Sequence, residues 1–451
     1  MFFCFSFILQ FCYDVSVFTL SIAMSSRPVP LFDSMQHIHK NADYVVLPDH
    51  KYQADFLFVL QFLKSYTGSL GTFNSYRRDV ERLLHWSWLI QEKPITALKR
   101  SDIEQFVRFS QHPPPNWIGT KKCPRFIQEG ERRLPNPEWR PFVATISKTA
   151  RQNGASPQIE NFALSQGAIQ ELFAILSTLF NFLIAEEYLS ANPVALIRQT
   201  SKFVRKRQHS APIRRLSLNQ WQAVLAAAET LATQNPEMHE RTRFILNILF
   251  GMYLRISELS ASDRWIPTMN DFSKDSNGYW WFTTVGKGNK ERQIAVSDAM
   301  LACLVRWRKS LGLTSMPSVA DNSPLIPKIR GNGPMSDPAP IRRLIQKCFD
   351  LAAAELRKNN HIEDAEHLAG ATVHWLRHTG ISEDVKIRPR EHVRDDAGHS
   401  SSATTDRYID VELSARYLSA QHKTIYPEKS EPGNPNTNNN TVLIQKTKPI
   451  P

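Results

Sequence analysis

The sequence predicts a mainly α-helical fold with a small antiparallel β-sheet, divided between two domains. Apolar residues recur at helical spacing through residues 52–110 and again from Ile169 to Leu183. One pair of strands is predicted at 279–285 and 292–296, joined by a glycine-rich turn. Between these regions, residues 198–215 are strongly basic and contain no acidic residue. We therefore expect a helical N-terminal domain, a basic linker and an α+β second domain.

The boundaries follow from composition and from helix signals. Pro113–Pro115 and the basic residues at 121–125 interrupt the first helical pattern, which predicts a long loop. Ser217 followed by Gln220 has the spacing of a capping box and begins the second domain. The predicted regions are an N-terminal segment at 1–48, a helical domain at 49–197 with a basic loop insertion at 111–160, a linker at 198–216, a second domain at 217–426 and a disordered tail at 427–451.

The first 23 residues are apolar but do not resemble a signal peptide. No Lys or Arg precedes the apolar run, and Asp14 interrupts it. The uncharged stretches are also too short for a membrane-spanning helix. We expect translation to begin at Met24, and a weak membrane contact by residues 1–23 is the alternative.

The composition indicates a soluble protein with a polyanionic partner. The 451 residues are 42% apolar and 22% charged, which is ordinary for a globular protein. The net charge of +12 favours binding to nucleic acid. The five cysteines lack Cys-x-x-Cys spacing, so we expect reduced thiols in a cytoplasmic protein. They are Cys4, Cys12, Cys123, Cys303 and Cys348.

Four separated motifs together carry the residues of a phosphoryl-transfer site. The motifs are Arg-Ile-Ser-Glu-Leu, Gly-Lys-Gly-Asn-Lys, His-Trp-Leu-Arg and Gly-His-Ser followed by a tyrosine. Their candidate residues are Arg255, Lys287, His374, Arg377, His399 and Tyr408. Fixed cations stabilise the negative charge that develops on a phosphodiester under attack, and a phenol can serve as the nucleophile. This set suits phosphodiester chemistry without a metal.

These motifs resemble those of the tyrosine recombinases, also called the phage-integrase family. The resemblance covers most of 50–426 and is most specific in 251–258, 285–296 and 372–410. It implies a helical core-binding domain and an α+β catalytic domain that together clamp double-stranded DNA. It further implies a homotetramer on two DNA sites, in which the segment after Tyr408 docks on a neighbouring protomer. Accessory DNA-bending proteins are a further partner class, and no membrane is involved.

The resemblance also implies a role for each residue. Tyr408 would form a 3′-phosphotyrosyl bond and release a 5′-hydroxyl, so that rejoining needs no ATP or other cofactor. Arg255 and Arg377 would clamp the phosphate, and Lys287 would be the general acid, with Lys290 as its rival. His374 would be the general base or a donor that positions the phosphate. His399 would donate to a non-bridging oxygen.

Two supporting groups complete the predicted site. Glu258 lies one helical turn after Arg255 and would support it as a carboxylate. The basic linker would track DNA phosphates, and a solvated tether is the alternative. The DNA-binding candidates of this segment are Lys202, Arg205, Lys206, Arg207, Arg214 and Arg215.

One competing pattern and several departures accompany the resemblance. His374 and His378 stand four residues apart, as zinc ligands do in metalloproteases, but Trp375 occupies the place of the required glutamate. We therefore expect His378 in the helix core or beside the site, and no bound metal. The family usually has an apolar helix after the arginine of His-x-x-Arg and a leucine before Gly-His. Here the corresponding residues are Ser382, Glu383, Asp384, Lys386 and Ala397.

The favoured function is site-specific DNA recombination or integration, as for an enzyme of a mobile element. A type IB topoisomerase or telomere resolvase would use similar chemistry, but the Gly-His-Ser segment and the late tyrosine favour a recombinase. A DNA-binding regulator of the same fold without catalysis is a second alternative, and the complete residue set argues against it. A metal-dependent nuclease is disfavoured because the sequence has no evident carboxylate cluster.

Overall fold

The computed structural model describes residues 27–195, 197, 214–286, 288–406, 408 and 420–421. The chain divides into two compact units, at 1–212 and 213–451, which we call the N-terminal unit and the C-terminal unit. Helix makes up 54% of the structure, and the sheets are small. The predicted mainly α-helical fold class is thus confirmed.

The described residues of the N-terminal unit include four long helices and one shorter helix between them. Apolar residues on their inner faces, such as Phe62, Leu83, Phe106 and Leu176, are fully buried in one core. The helices are α1 (Gln53–Lys64), α2 (Leu70–Leu89), α3 (Arg100–Gln111), α4 (Lys148–Gln152) and α5 (Gln166–Ala185).

The folded core begins upstream of the predicted start at residue 49. Leu31 and Phe32 are buried, and their backbone N–H groups donate to Oε1 of Glu81 at 2.7 and 3.1 Å. The carboxylate of Glu81 on α2 therefore holds the preceding segment against the helices. The hydrophobic periodicity at 52–110 carried no sign of this contact, because it depends on one buried acid.

Residues 111–160, predicted as a basic loop, contain two small sheets. The parallel pair is β1 (Ile118–Gly119) with β4 (Phe142–Val143), and the hairpin is β2 (Phe126–Glu129) with β3 (Arg132–Pro135). Trp117, Ile118, Phe142 and Ala144 form a small core of their own. The prediction of a long basic loop did not include these strands, because strands this short leave almost no alternating pattern in the sequence.

Helix α5 is long and apolar enough to cross a membrane by length and composition, and it is the single such helix among the described residues. Eight of its side chains, including Leu172, Leu176 and Phe180, are nevertheless buried. All eight belong to the core of the N-terminal unit. A central core helix of a globular unit has this composition.

The C-terminal unit combines helices with one three-stranded antiparallel sheet. The sheet runs in the order β5 (Phe272–Lys274), β6 (Trp280–Val285) and β7 (Glu291–Ala295). Strands β6 and β7 are the predicted pair, and β5 is an additional strand. The helices are α6 (Leu218–Gln234), α7 (Pro236–Gly251), α8 (Asp298–Ser310), α9 (Pro338–Lys358), α10 (Ile362–Ala369), α11 (Val373–Asp384), α12 (Arg390–Ala397) and α13 (Ser402–Asp406).

A close approach between α11 and α7 positions the His-Trp-Leu-Arg motif on α11. A Cβ atom added at Gly380 would lie 2.1 Å from the carbonyl oxygen of Phe250, so only glycine fits there. The approach lets Arg377, one turn earlier on α11, reach the backbone just after α7. The small residue therefore determines where a guanidinium lies.

Several predicted features lie outside the described residues. They are the start at Met24 with the segment 1–26, the linker candidates Lys202, Arg205, Lys206 and Arg207, the residue Lys287, the helix after Tyr408 and the tail at 427–451.

Candidate active site

Glu258 and two arginines form the first part of the site. Arg255 precedes a short 3-10 helix, and its backbone N–H and Nη1 both donate to the Glu258 carboxylate, each at 2.9 Å. Arg292 on β7 donates to the same carboxylate from Nη1 and Nη2, at 3.0 and 2.8 Å. Burial of Glu258 raises its pKa, but the hydrogen bonds and charge of Arg292, together with Arg255, hold the pKa below its usual value. One ionised carboxylate thus orients two guanidiniums.

Arg377 is buried and is held by carbonyl oxygens. Its Nη1 donates to the carbonyl of Tyr253, and its Nη2 donates to the carbonyl of Ala397 at 2.6 Å. Within the described residues, no carboxylate lies at salt-bridge distance from it. Burial, and then the charge of Arg255, lower the pKa of Arg377 to about 10. The group is still cationic at neutral pH, at an energetic cost that a bound anion would reduce.

The site therefore holds three guanidiniums close together and one carboxylate among them. Arg255, Arg292 and Arg377 are called the arginine cluster below. Arg292 Nε donates to the carbonyl of Asp396 at 3.0 Å, and Arg377 donates to the carbonyl of the next residue, Ala397. Both Arg255 and Arg292 lower the pKa of Arg377. A buried excess of positive charge is unfavourable unless an anion completes it. The arrangement is suited to an oxyanion such as a phosphate.

His374 lies beside the arginine cluster on the first turn of α11. The side chain keeps solvent exposure. Shielding by the surrounding protein, and then the charges of Arg377 and Arg255, lower its pKa from the ordinary value. The ring is therefore neutral at pH 7 and can either donate or accept a hydrogen bond there.

Tyr408 is buried between two histidines. Its hydroxyl lies 2.6 Å from Nδ1 of His378, and the ring centroids of these residues are 5.4 Å apart. The ring of His399 stacks along the phenol at 5.7 Å, and Nδ1 of His399 lies 2.9 Å from the Thr405 hydroxyl. The phenol belongs to the same buried cluster as Tyr253 and Ala397, the two residues whose carbonyls accept from Arg377. The structure thus brings the late tyrosine to the arginine cluster.

One of the residues that depart from the family pattern, Asp384, takes part in a second polar network. The Tyr253 hydroxyl donates to Oδ2 of Asp384, and Arg388 Nη1 donates to the Tyr253 hydroxyl at 2.9 Å. Arg388 Nη2 also donates to Asp396 at 2.6 Å, which joins α11 to α12. Burial, and then Asp384, raise the pKa of Tyr253, so this phenol stays protonated. Asp384 is therefore not misplaced in an apolar helix, because it fixes the residue whose carbonyl holds Arg377.

Ala397 and Gly398 explain the end of α12. Ala397 is fully buried against Tyr253, Ile381, Val393 and Tyr408, and its carbonyl accepts from Arg377. Gly398 has a φ of +62°, which ends the helix in a left-handed turn. The turn directs the following His399 towards Tyr408.

The predicted residues differ in how the structure places them. It brings together Arg255, Glu258, His374, Arg377, His399 and Tyr408. Gly286, just before Lys287, lies against Arg292 and Glu258, since an added Cβ would be 2.8 Å from Arg292 Nη1. Arg214 is exposed and Arg215 half-buried, next to Leu216, whose N–H donates to Thr379 at 2.9 Å. Their role in DNA binding stays a prediction.

Two residues at the site were missed as participants. Arg292 lies in the quoted hairpin segment, but nothing in its spacing indicated a bidentate contact with Glu258. His378 was weighed as a zinc ligand and assigned to the helix core or the neighbourhood of the site, whereas it contacts the Tyr408 hydroxyl. Its position, one turn after His374 on the same helix, is the signal that could have found it. Among the described residues, no group of three or more His, Cys, Asp or Glu could hold a metal ion.

Comparison with known proteins identifies the relatives of this chain. No family profile matches it. It is 23% identical over 282 residues to tyrosine recombinase XerC of Chlorobaculum parvum, a match that covers 59% of this chain and 73% of the relative. It is 28% identical over 213 residues to XerC of Mycobacterium bovis, covering 45% of this chain and 60% of that one. The chain is therefore similar to proteins that are named as tyrosine recombinases.

Two solved structures are also similar to this chain. XerH bound to its difH substrate, in a pre-cleavage complex, is 12% identical with a TM-score of 0.47, and covers 86% of this chain and 94% of XerH. A lambda integrase dimer bound to a COC' core site is 13% identical with a TM-score of 0.44, and covers 83% of this chain and 80% of the integrase.

Proposed function

We propose that this protein is a tyrosine recombinase, a site-specific DNA recombinase or integrase that cleaves and rejoins strands through a 3′-phosphotyrosyl intermediate. One observation carries the proposal: the Tyr408 hydroxyl lies 2.6 Å from His378, the neighbour of Arg377 in the arginine cluster, in which Arg255 and Arg292 share the Glu258 carboxylate. The curated relatives, XerC and XerD, are named as tyrosine recombinases, which supports the same function.

The first step is binding of the scissile phosphate at the arginine cluster. Arg255 and Arg377 would donate to the non-bridging oxygens, with His399 as a further donor. Because the guanidiniums are held in advance by Glu258 and by backbone carbonyls, little reorganisation is needed as charge develops. These interactions strengthen as the phosphorus becomes more negative, which favours the transition state over the ground state.

The second step is the exchange of one phosphodiester bond for another. The Tyr408 oxygen attacks phosphorus, a phosphotyrosyl bond forms to the 3′ end, and the bond to the 5′-oxygen breaks. Lys287 would protonate that leaving oxygen, with Lys290 in the same hairpin as its rival. The number of phosphodiester bonds is unchanged, so a 5′-hydroxyl can reverse the step without ATP, and the protein residues supply the charge that a metal would otherwise supply.

The proposed partners follow from charge and from the relatives. The net charge of +12 suits double-stranded DNA, whose phosphates would give most of the affinity. We propose a core-binding role for the N-terminal unit, a catalytic role for the C-terminal unit, and a cytoplasmic homotetramer on two DNA sites. Lambda integrase has been solved as a tetramer bound to a Holliday junction. Accessory DNA-bending proteins fit the same proposal.

Capture of covalent adducts tests the proposed function. The full-length protein is incubated in EDTA with sheared genomic DNA of its source organism, and protein-linked fragments are purified and sequenced. Wild type is expected to enrich a defined sequence, which is then rebuilt as a nicked duplex that traps the adduct. Tyr408→Phe should form no adduct while binding the same duplex almost as well.

The outcomes separate the candidate functions. Binding of DNA without any wild-type adduct would overturn the proposal in favour of a non-catalytic DNA-binding regulator. An adduct formed by Tyr408→Phe would instead place the nucleophile elsewhere, at Tyr417 or Tyr426.

A further inference from the structure

We propose that His378 is the catalytic base that takes the proton from Tyr408, an inference that rests on the proposed function and assigns one residue within it. The basis is a direct contact, since Nδ1 of His378 lies 2.6 Å from the phenolic oxygen. That oxygen is the atom that would form the new bond to phosphorus. His378 thereby takes the base role for which His374 was the sequence candidate.

The position of His378 is fixed from both sides. Its helix, α11, also carries Arg377, so the guanidinium that would hold the phosphate and the imidazole that holds the nucleophile share one rigid element. On the other side, Tyr408 is packed among Tyr253, Ile381 and Val393. A base must lie within about 2.6–3.2 Å of the proton it removes, and this pair meets that condition before DNA is bound.

The proton transfers balance in both directions. During cleavage the phenolic proton moves to Nδ1 of His378 as the Tyr408 oxygen bonds to phosphorus, while the 5′-oxygen leaves and takes a proton from the general acid. During rejoining the 5′-hydroxyl attacks, the phenolate leaves phosphorus, and the proton on His378 returns to it. The imidazole must begin with Nδ1 unprotonated and Nε2 protonated, which is a normal neutral tautomer.

The two other histidines have different geometry. His374 meets His378 edge to face, with the ring centroids 4.2 Å apart, and lies on the side of Arg377 and Arg255. His399 stacks at an interplanar angle of 20° along the phenol, and its Nδ1 is within hydrogen-bonding distance of the Thr405 hydroxyl. Stacking does not direct a ring nitrogen at the phenolic oxygen. His374 and His399 are therefore better placed to act on the phosphate.

Single-turnover cleavage of the nicked duplex tests the inference. His378→Asn keeps a polar group near the position of Nδ1 but has no useful basicity, and His378→Ala removes both. Loss of a general base costs about 10²–10⁴-fold in rate, and we expect both variants to fall in this range. His367→Asn is the matched control, because His367 also packs against an aromatic ring at a tilted angle and contacts Gln220 through Nδ1, yet belongs to α10. It should cleave at the wild-type rate.

Two rescue measurements separate a base from a structural residue. Added imidazole should restore cleavage by His378→Ala in proportion to the concentration of its neutral form. Replacing Tyr408 with 3-fluorotyrosine, whose phenol is more acidic, should raise the rate of His378→Asn by about tenfold and that of wild type much less. Thermal melting and DNA binding of each variant verify that it is folded.

The inference and the proposed function fail in different ways. If wild type forms the adduct and His378→Asn cleaves equally fast, the base assignment is overturned and the proposed function stands. A slow variant that neither imidazole nor fluorotyrosine accelerates would also overturn it, because His378 would then only support the fold. Absence of a wild-type adduct would remove both.

Discussion

The two units of this chain differ in how their buried charged side chains are paired. In the N-terminal unit two buried carboxylates are matched with arginine: Glu81 pairs with Arg125, and Asp33 accepts from Nε and Nη2 of Arg133 at 2.9 and 2.8 Å. At the candidate site of the C-terminal unit Arg255 and Arg292 share Glu258, and the described hydrogen-bond partners of Arg377 are carbonyl oxygens.

Ion pairs of the first kind stabilise a fold, whereas cations of the second kind are available to bind an anionic ligand. A matched pair satisfies both of its members, so removing one leaves an uncompensated charge in the interior. A cluster of arginines with too few carboxylates destabilises the folded protein, and a bound anion offsets that destabilisation. The arginines of the N-terminal unit should therefore matter for stability, and those of the C-terminal unit for chemistry.

The largest expected effect is the loss of a matched pair. Glu81→Ala leaves Arg125 buried and the N–H groups of Leu31 and Phe32 without their acceptor, and should lower the free energy of unfolding of the N-terminal unit by about 3–5 kcal/mol. Hydrogen exchange of the α2 amides measures it. Glu131→Ala, at an exposed position of the hairpin turn, should change it by less than about 0.5 kcal/mol. A loss below about 1 kcal/mol for Glu81→Ala would show that the pair is dispensable.

The next effect concerns chemistry in the other unit. Arg377→Ala removes the buried guanidinium of the arginine cluster and should slow single-turnover cleavage by about 10²–10³-fold, or about 2.7–4 kcal/mol, the range for loss of one oxyanion donor. Arg133→Ala is the counterpart from a matched pair, and it should destabilise the N-terminal unit while leaving the cleavage rate of saturated complexes unchanged. Equal cleavage by Arg377→Ala and wild type would contradict the contrast between the units.

A smaller effect should follow from disturbing the support of the arginine cluster. In Gly286→Ala the new Cβ would lie 2.8 Å from Arg292 Nη1 and 3.2 Å from Glu258 Oε1. Because Arg292 is held by two hydrogen bonds to Glu258, it cannot move away freely, and cleavage should slow by roughly tenfold. Gly71→Ala on α2, where no atom lies within 4 Å of the new Cβ, should be neutral or stabilising by up to about 1 kcal/mol. Full activity of Gly286→Ala would mean that the cluster tolerates displacement.

The smallest expected effect is a pH dependence at His374. Its pKa is lowered in the folded protein, so protonation is less favourable there than in the unfolded chain. The contribution of His374 to stability is therefore present above the unfolded pKa near 6.5 and is lost as the pH falls through the lower folded value. Melting temperatures of wild type and His374→Gln are compared between pH 7.5 and 5. The melting temperature of wild type should fall relative to that of the variant as the pH decreases. A constant difference in melting temperature between pH 7.5 and 5 would contradict the predicted pH dependence at His374.

Much of the site could be predicted because short motifs carry it. The helical periodicity predicted the fold class, and the Gly-His-Ser segment predicted a tyrosine beside the two arginines. The hairpin was predicted because its glycines and flanking strands are contiguous in the chain. The strands of the insertion at 111–160 were not predicted. Strands of two to four residues are held by contacts between residues far apart in sequence, such as Arg125 with Glu81.

The amino-acid sequence by itself determined which chemistry this chain can support, because it supplies the guanidinium, imidazole and phenol groups. The tertiary structure decided which of them meet. The approach of α11 to Phe250 at Gly380 brings Arg377 to the Tyr253 carbonyl, and the packing of Tyr408 against α11 selects His378 rather than His374 as its hydrogen-bond partner. Such pairings depend on how two distant segments pack, at a scale of one or two ångströms that spacing along the chain does not encode.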